Sequence, residues 1–478
     1  MKNTLLILCL TSIIACCPDA GKHTQNVLPE FTSWAKTPPM GWNSYNAYKG
    51  AITEPQFLAC VDWLADNLLP YGYDLATIDF CWSRPGPENW SIEKWFPHKT
   101  VLFPDSNGVL KPDLEMDAYG RLMPDPGHFP SAINGIGFKE IGDYVHSKGM
   151  KFGIHIMRGV PRKAVEQELP ILGTEYTCDQ IAETTNLCPW NNHMYGVDQS
   201  LPGAQEYYNS IINMYAEWGV DFIKADDMMV PPYHTSDIEL LRKAIDQCGR
   251  PIVLSLSCGE APLSKAHHLL QNANMWRISA DFWDKWEHIE RMFELTEMWS
   301  PFIGNGTWPD NDMIPIGRLQ LDGHGKEVGG DIWRPERDSR FTEAGHYALM
   351  SLNAITRSPL IWGGDPLTSS DWSVSFLTNK EVLAVNQNSE NNRQIFERND
   401  TRVWIAEIPD SEDLYLGLFN LKNEEHNVKF DFWWEQIKHK LTIRDLWDGK
   451  ELGTFEKEFV VTMRPHEGRL YRLSKAIE

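Results

Sequence analysis

Trp218-Gly-Val-Asp-Phe-Ile-Lys-Ala-Asp-Asp227 is the stretch on which the fold turns. Val220, Phe222 and Ile223 make a short apolar core, and the run then changes abruptly to Lys224, Asp226 and Asp227. Charges are costly to bury unless they are paired, so a buried strand that ends in a cation and two carboxylates reads as a site. The competing reading is a solvated Asp pair with Lys224 as its salt bridge. A helical period over Ala204–Trp218 precedes the strand, which makes this a helix–strand unit.

The same unit repeats on both sides. Short apolar runs at Asp74–Phe80, Lys151–Met157, Ile252–Ser257, Met275–Ser279 and Leu360–Gly363 follow helical periods at Glu54–Asn67, Phe138–Lys148, Asp237–Gln247, Leu263–Gln271 and Glu343–Ile355. Helices alternating with strands point to a parallel α/β sheet. No Gly-x-Gly-x-x-Gly follows the early strands, which argues against a dinucleotide-binding fold. Ionisable and polar residues recur instead at the strand C-termini: Asp79, His155, Arg158, Lys224, Asp226, Ser257, Arg277 and Asp281. A (β/α)8 TIM barrel presents its active site this way, and a barrel is expected over residues 35–385. Ser83–Pro130 and Gly159–Leu201 read as long βα loops at its mouth. After about Asn386 short strands separated by turns (Val403–Ile408, Leu414–Leu418, Val428–Phe432, Leu441–Asp445, Leu470–Leu473) predict a C-terminal antiparallel β-sandwich over 386–478.

The 478 residues carry a formal net charge of −22, which makes nucleic acid and anionic membrane surfaces poor partners; a neutral substrate suits the chain better. Residues 1–17 combine one positive charge with an apolar run too short to span a bilayer, so they read as an export signal. Ile13-Ile14-Ala15-Cys16 resembles a bacterial lipoprotein box, which implies lipidation of Cys16 and an envelope or periplasmic location; an ordinary signal peptide cleaved nearby is the other reading. Residues 18–34 then look like a flexible tether. An oxidising compartment permits disulfides, and Cys178 with Cys188 would close a short loop. There is no Cys-x-x-Cys or His-x-x-x-His spacing, so no metal site is expected.

Among the strand-end residues, Asp226 and Asp281 could supply the pair of carboxylates that glycoside cleavage needs. Lys224 lies two residues before Asp226 on the same strand face and would keep it ionised; Arg277, four residues before Asp281, is set to hold a hydroxyl or a carboxylate. Each has a plainer reading: Asp227 or Asp284 as helix caps, Arg277 as a surface ion pair, and His155 as a satisfied core histidine.

The chain resembles glycoside hydrolase family 27, the α-galactosidase and α-N-acetylgalactosaminidase group. Thr37-Pro-Pro-Met-Gly-Trp-Asn-Ser-Tyr45, Ile78-Asp-Phe-Cys-Trp82, Lys151-Phe-Gly-Ile154, Trp218–Asp226, Trp276-Arg277 with Asp281, Trp308-Pro-Asp-Asn-Asp-Met313 and Ser358-Pro-Leu360 carry the likeness in order. The resemblance implies a retaining enzyme with no cofactor, with Asp226 as nucleophile and Asp281 as general acid/base. It further implies Lys224 and Arg277 as ligands of sugar hydroxyls, Asp79 as acceptor on the C4/C6 side of galactose, and Trp42 in the sugar pocket. His155 and Ser257 complete the candidate substrate-binding set.

Two departures bear on the sugar. The second Asp of the family's Ile-Asp-Asp-Cys-Trp is Phe80 here, which would favour a sugar without a hydroxymethyl group, such as β-L-arabinopyranose; alternatively Asp74, His155 or Arg158 supplies the lost contact. In Ser255-Leu-Ser-Cys-Gly-Glu260 the small Ser257, Cys258 and Gly259 could admit an N-acetyl group, whereas Glu260 could read a free C2 hydroxyl. The leading expectation is an exo-acting α-galactosidase-type hydrolase of oligo- or polysaccharides, with β-L-arabinopyranosidase and α-N-acetylgalactosaminidase as alternatives. A binding protein that has lost turnover is the reading from a different class, and it has no need of both carboxylates.

Overall fold

The computed structural model describes residues 28–84, 114–188, 191, 193–229, 231–321 and 336–476. The expected export signal and residues 18–27 of the expected tether lie outside the described residues, as does most of the long loop at 83–130. The end of that tether is part of the fold. Glu30–Ala35 form a 3-10 turn that buries Phe31, Thr32 and Ala35, and the Asn274 side-chain amide donates to the Phe31 carbonyl (2.9 Å). Packing therefore begins earlier than composition implied, because Phe31 and Trp34 lie under the Arg242 guanidinium at 4.7 and 5.1 Å.

Eight strands form the barrel: β1 (Met40–Asn43), β2 (Leu75–Ile78), β3 (Lys151–Met157), β4 (Val220–Asp226), β5 (Val253–Leu256), β6 (Met275–Arg277), β7 (Trp308–Asp310) and β8 (Leu360–Trp362). They pair in parallel in the order β7-β6-β5-β4-β3-β2-β1-β8. The ring closes just past β7, where the Ile314 N–H donates to the Ile361 carbonyl (2.8 Å) and the Gly363 N–H to the Ile314 carbonyl (3.0 Å). The order also places β5 between the strands that carry Asp226 and Asp281.

Helices α1 (Glu54–Asn67), α2 (Lys139–Ser147), α3 (Ala204–Glu217), α4 (Thr235–Gln247), α5 (Ala266–Asn272), α6 (Trp286–Trp299) and α7 (Glu343–Ile355) follow β1 to β7 in turn, and α8 (Asp371–Thr378) and α9 (Lys380–Gln387) follow β8. Helix α1 shows why the sequence folds this way. Thr53 and Gln56 make a reciprocal capping box, and Phe57, Cys60, Val61 and Leu64 recur at the 3- and 4-residue spacing of one buried face. The segment at 159–201 has structure of its own: Val160–Pro161, Met194–Val197 and Ala182–Leu187 form a three-stranded antiparallel sheet. Cys178 and Cys188 are both buried thiols, so the short-loop disulfide is absent; no described cysteine is bridged.

The C-terminal unit has β9 (Glu390–Arg398), β10 (Thr401–Glu407), β11 (Leu414–Asn420), β12 (His426–Asp431), β13 (Leu441–Asp445), β14 (Lys450–Phe455), β15 (Glu458–Met463) and β16 (Glu467–Lys475). A six-stranded sheet in the order β9-β10-β11-β16-β13-β14 faces the β12–β15 pair across an apolar core that includes Val403, Leu416, Phe430 and Ile443. It rests on α7. The Ser351 hydroxyl donates to the Gly468 carbonyl (3.2 Å), and Gly468 lies so close that a Cβ there would come within 2.7 Å of the Ala348 Cα.

Candidate active site

Strand β4 alternates inward and outward, so Lys224 and Asp226 face the same way. The Lys224 ammonium donates to Asp79 Oδ2 (2.9 Å), which also accepts from the Asn43 side-chain amide (2.7 Å); the Phe80 N–H donates to Asp79 Oδ1 (2.8 Å). Burial opposes ionisation of Asp79, but Lys224 leads a set of partners that holds its carboxyl below the usual range. Burial likewise opposes the Lys224 charge, and Asp79, Asp226 and Asp312 outweigh it and hold the amine above its usual range.

Asp226 is held on both oxygens. Oδ1 accepts from the Ser257 hydroxyl (3.1 Å) and from the Asp227 N–H (2.8 Å). Oδ2 faces His155 Nε2 at 3.1 Å, and the Cys258 thiol also hydrogen-bonds to this carboxylate. A carboxylate only accepts, so His155 presents Nε2–H. Burial would raise the Asp226 carboxyl, but His155 and then Lys224 hold it well below the usual range. This is an anion fixed in place, as attack on an anomeric carbon requires.

Asp281 differs. Its side chain is 45% exposed, and among the described residues its side-chain partner is Arg277 Nη2 at 3.3 Å. The same Nη2 lies closer to Asp312 Oδ2, at 2.9 Å. Asp226 and Asp281 share neighbours: burial, then both carboxylates, push up the Cys258 thiol, and Tyr45 is raised by burial, then Asp281, Cys81, Asp79 and Asp226. The two acids therefore face one space.

Several expectations change here. Trp42 is wholly buried, its indole N–H donates to the Gly364 carbonyl (2.8 Å), and it packs on Tyr48 and Phe57; it offers no surface to a sugar. The aromatic at the site is Tyr45, three residues on, whose ring lies 5.9 Å from the Lys224 ammonium. Asp74 pairs with Lys151 (2.8 Å) at the N-terminal ends of β2 and β3, the wrong end of the barrel for a sugar contact. Arg158 is buried and bound to Asp227 (2.8 Å) and Asn186 (2.7 Å), and so stabilises the turn after β4. Asp227 there has φ of 61°, and burial pushes its carboxyl up to about 6 against the pull of Arg158. Glu260 pairs with Arg291 (3.2 Å) on the surface, so it is not a reader of a sugar hydroxyl. Asp284 is not a helix cap: its buried carboxylate takes Arg337 (2.7 Å) and Arg340 (3.1 Å).

Two further residues matter and were not singled out from the sequence. His193, from the sheet at 159–201, lies parallel to the Phe80 ring at 6.3 Å, while His155 meets the same ring edge-on at 5.4 Å. Burial, then Arg84 and His155, push His193 well below its usual pKa, so its ring is neutral. Asp312 follows β7, inside the Trp308–Met313 motif, which was the signal that could have found it.

The chain is similar to known proteins over most of its length. A family model described as alpha galactosidase A matches residues 187–334, and one described as an alpha galactosidase C-terminal beta sandwich domain matches residues 398–473. A solved GH27 β-L-arabinopyranosidase from Geobacillus stearothermophilus is 41% identical, covers 94% of this chain and 98% of its own, and superposes with a TM-score of 0.86. Alpha-galactosidase A of Cellvibrio japonicus (strain Ueda107) is 25% identical over 93% of this chain and 94% of its own. An alpha-N-acetylgalactosaminidase of Gallus gallus is 26% identical over 74% of this chain and 71% of its own.

Proposed function

Because the chain belongs to glycoside hydrolase family 27, we propose that it is an exo-acting, retaining glycosidase that prefers terminal β-L-arabinopyranosyl residues of oligo- or polysaccharides. Asp226 attacks the anomeric carbon while Asp281 protonates the departing oxygen, and a glycosyl ester forms on Asp226. Asp281 then takes a proton from water as that water displaces Asp226, so two inversions give net retention. Lys224 and Asp79 hold hydroxyls on the C4 side, and Arg277 serves the C2 side near Asp281.

The observation that carries the sugar preference is Phe80. β-L-Arabinopyranose and α-D-galactopyranose share ring stereochemistry and differ by the hydroxymethyl group on C5. Where the family has a second carboxylate, Phe80 puts an apolar ring wedged between His155 and His193. That ring fills the corner and leaves the C6 hydroxyl without a partner, a loss a site pays in full. α-Galactoside hydrolysis is the second reading, favoured by the intact Asp79–Lys224 pair and by the many α-galactosidase relatives.

The test compares 4-nitrophenyl β-L-arabinopyranoside, α-D-galactopyranoside and α-N-acetylgalactosaminide by kcat/KM. Preference for the first supports the reading, and preference for either of the others replaces it. We also place the enzyme outside the cytoplasm, anchored through Cys16, on the strength of residues 1–17. Radiolabelled fatty acid should enter the wild type and not Cys16→Ser; equal labelling removes the anchor.

A further inference from the structure

Asp312 is a buried carboxylate that the scheme above leaves without a task. Its φ is 78°, in the left-handed region that a side chain other than glycine adopts at a cost, and its N–H donates to Asp310 Oδ1 (2.9 Å). Oδ2 accepts from two groups that flank Asp281 in the chain: the Phe282 N–H at 2.8 Å and Arg277 Nη2 at 2.9 Å. Arg277 Nη2 also reaches the Ser279 carbonyl and Asp281 Oδ1, both at 3.3 Å. One guanidinium nitrogen is thus shared between two carboxylates, and the shorter contact goes to Asp312.

We propose that Asp312 is the positioning residue of the acid/base: it anchors the backbone after Asp281 and draws the Arg277 charge away from it. This rests on the reading of Asp281 as the proton donor. A general acid must keep its proton at the working pH, and a guanidinium paired fully with Asp281 would strip it. The groups that face Asp281 are Arg277 from β6, Asp312 from the segment after β7, Tyr45 after β1, Cys258 after β5 and His288 on α6. Arg277 is the only cation among them that stays charged at every working pH, and Asp312 is the anion that competes for it. Asp312→Asn keeps the shape and deletes that competition. The sign follows: one negative charge leaves the neighbourhood of Asp281 and Arg277 turns to it, which favours the ionised carboxylate, so the alkaline limb of activity moves to lower pH.

The experiment uses the full enzyme with two glycosides of the preferred sugar, an alkyl glycoside that needs protonation of its leaving oxygen and a dinitrophenyl glycoside that does not. Asp312→Asn should move the alkaline limb of kcat/KM on the alkyl glycoside down by about one pH unit. At neutral pH it should cost about tenfold or more there and less than about threefold on the dinitrophenyl glycoside. Asp312→Glu, which restores the charge, should recover much of the loss. Equal losses on both substrates with an unmoved pH profile overturn the proposal in favour of a merely structural role. If Asp312→Asn does not fold, Asp312→Ser, which also deletes the charge, is read by the same criteria: a loss confined to the alkyl glycoside with a lowered alkaline limb supports the proposal, and equal losses with an unmoved limb overturn it. Asp281→Asn run alongside separates the two readings. If it shows no dependence on the leaving group, the acid/base assignment fails; if it does and Asp312→Asn does not, only the positioning role fails.

Discussion

The pocket has two sides built on opposite principles. On the β2–β4 side, Asp79 and Asp226 are buried and Lys224 largely so, with partners on every charged group, among them His155, Ser257, Asn43 and two backbone N–H donors. On the β6–β7 side, Asp281 is 45% exposed and, among the described residues, meets a single shared nitrogen at 3.3 Å. A dense, low-dielectric network fixes both charge and position. A half-exposed acid with a shared partner can take up and release a proton. The contrast fits the two roles of the proposed scheme, in which the fixed anion attacks and the loosely held one shuttles the proton.

The comparison breaks most visibly at Asp226. Asp226→Asn should lower kcat by about ten-thousandfold or more on every glycoside, whatever the leaving group. Residual activity within about tenfold of wild type would show that the fixed anion is not the nucleophile. Asp281→Asn should cost about a hundredfold or more on poor leaving groups and far less on dinitrophenyl glycosides, and added azide should rescue the second step. A uniform loss would erase the distinction between the two sides. Phe80→Asp should move the ratio of kcat/KM for α-galactoside over β-L-arabinopyranoside upward by about ten- to a hundredfold. His193→Ala, which removes the ring beside Phe80, should move the same ratio the same way by about threefold; no change would detach His193 from specificity.

The smallest effect concerns stability. Burial, then Asp312, push the Asp310 carboxyl up to about 7, above its value in the unfolded chain. Between pH 4 and 7 the folded state therefore binds the extra proton, and stability falls as pH rises through that window. The Tm should drop by a few degrees across the window in the wild type, and Asp310→Asn should flatten it. A wild-type Tm that climbs from pH 5 to 7 would assign the pH dependence to other groups.

Much of this was legible in the residues. Strand β4 announces itself because an apolar run ends abruptly in charge, and α1 and α7 because their apolar periods are bounded by caps. Strands β1 and β7 do not show as apolar runs in the sequence, because Gly41 interrupts the first and Pro309 with Asp310 the second. Tyr45 was passed over for Trp42 because both are aromatics in one motif; only the fold shows that Trp42 points into the core and Tyr45 at the carboxylates. His193 and Asp312 act through groups far away in sequence, Phe80 and Arg277, so no local pattern marks them. Glu260 looked available for a hydroxyl because its partner, Arg291, lies on a helix distant in the chain.

The central claim is that Asp226 carries the sugar during turnover. A 2-deoxy-2-fluoro glycosyl fluoride of the preferred sugar slows the second step, so the intermediate accumulates and can be located by peptide mass spectrometry. The account predicts one added sugar, on the peptide that contains Asp226, together with time-dependent loss of activity. Inactivation with the label on any other residue, or inactivation with no covalent label, would contradict it.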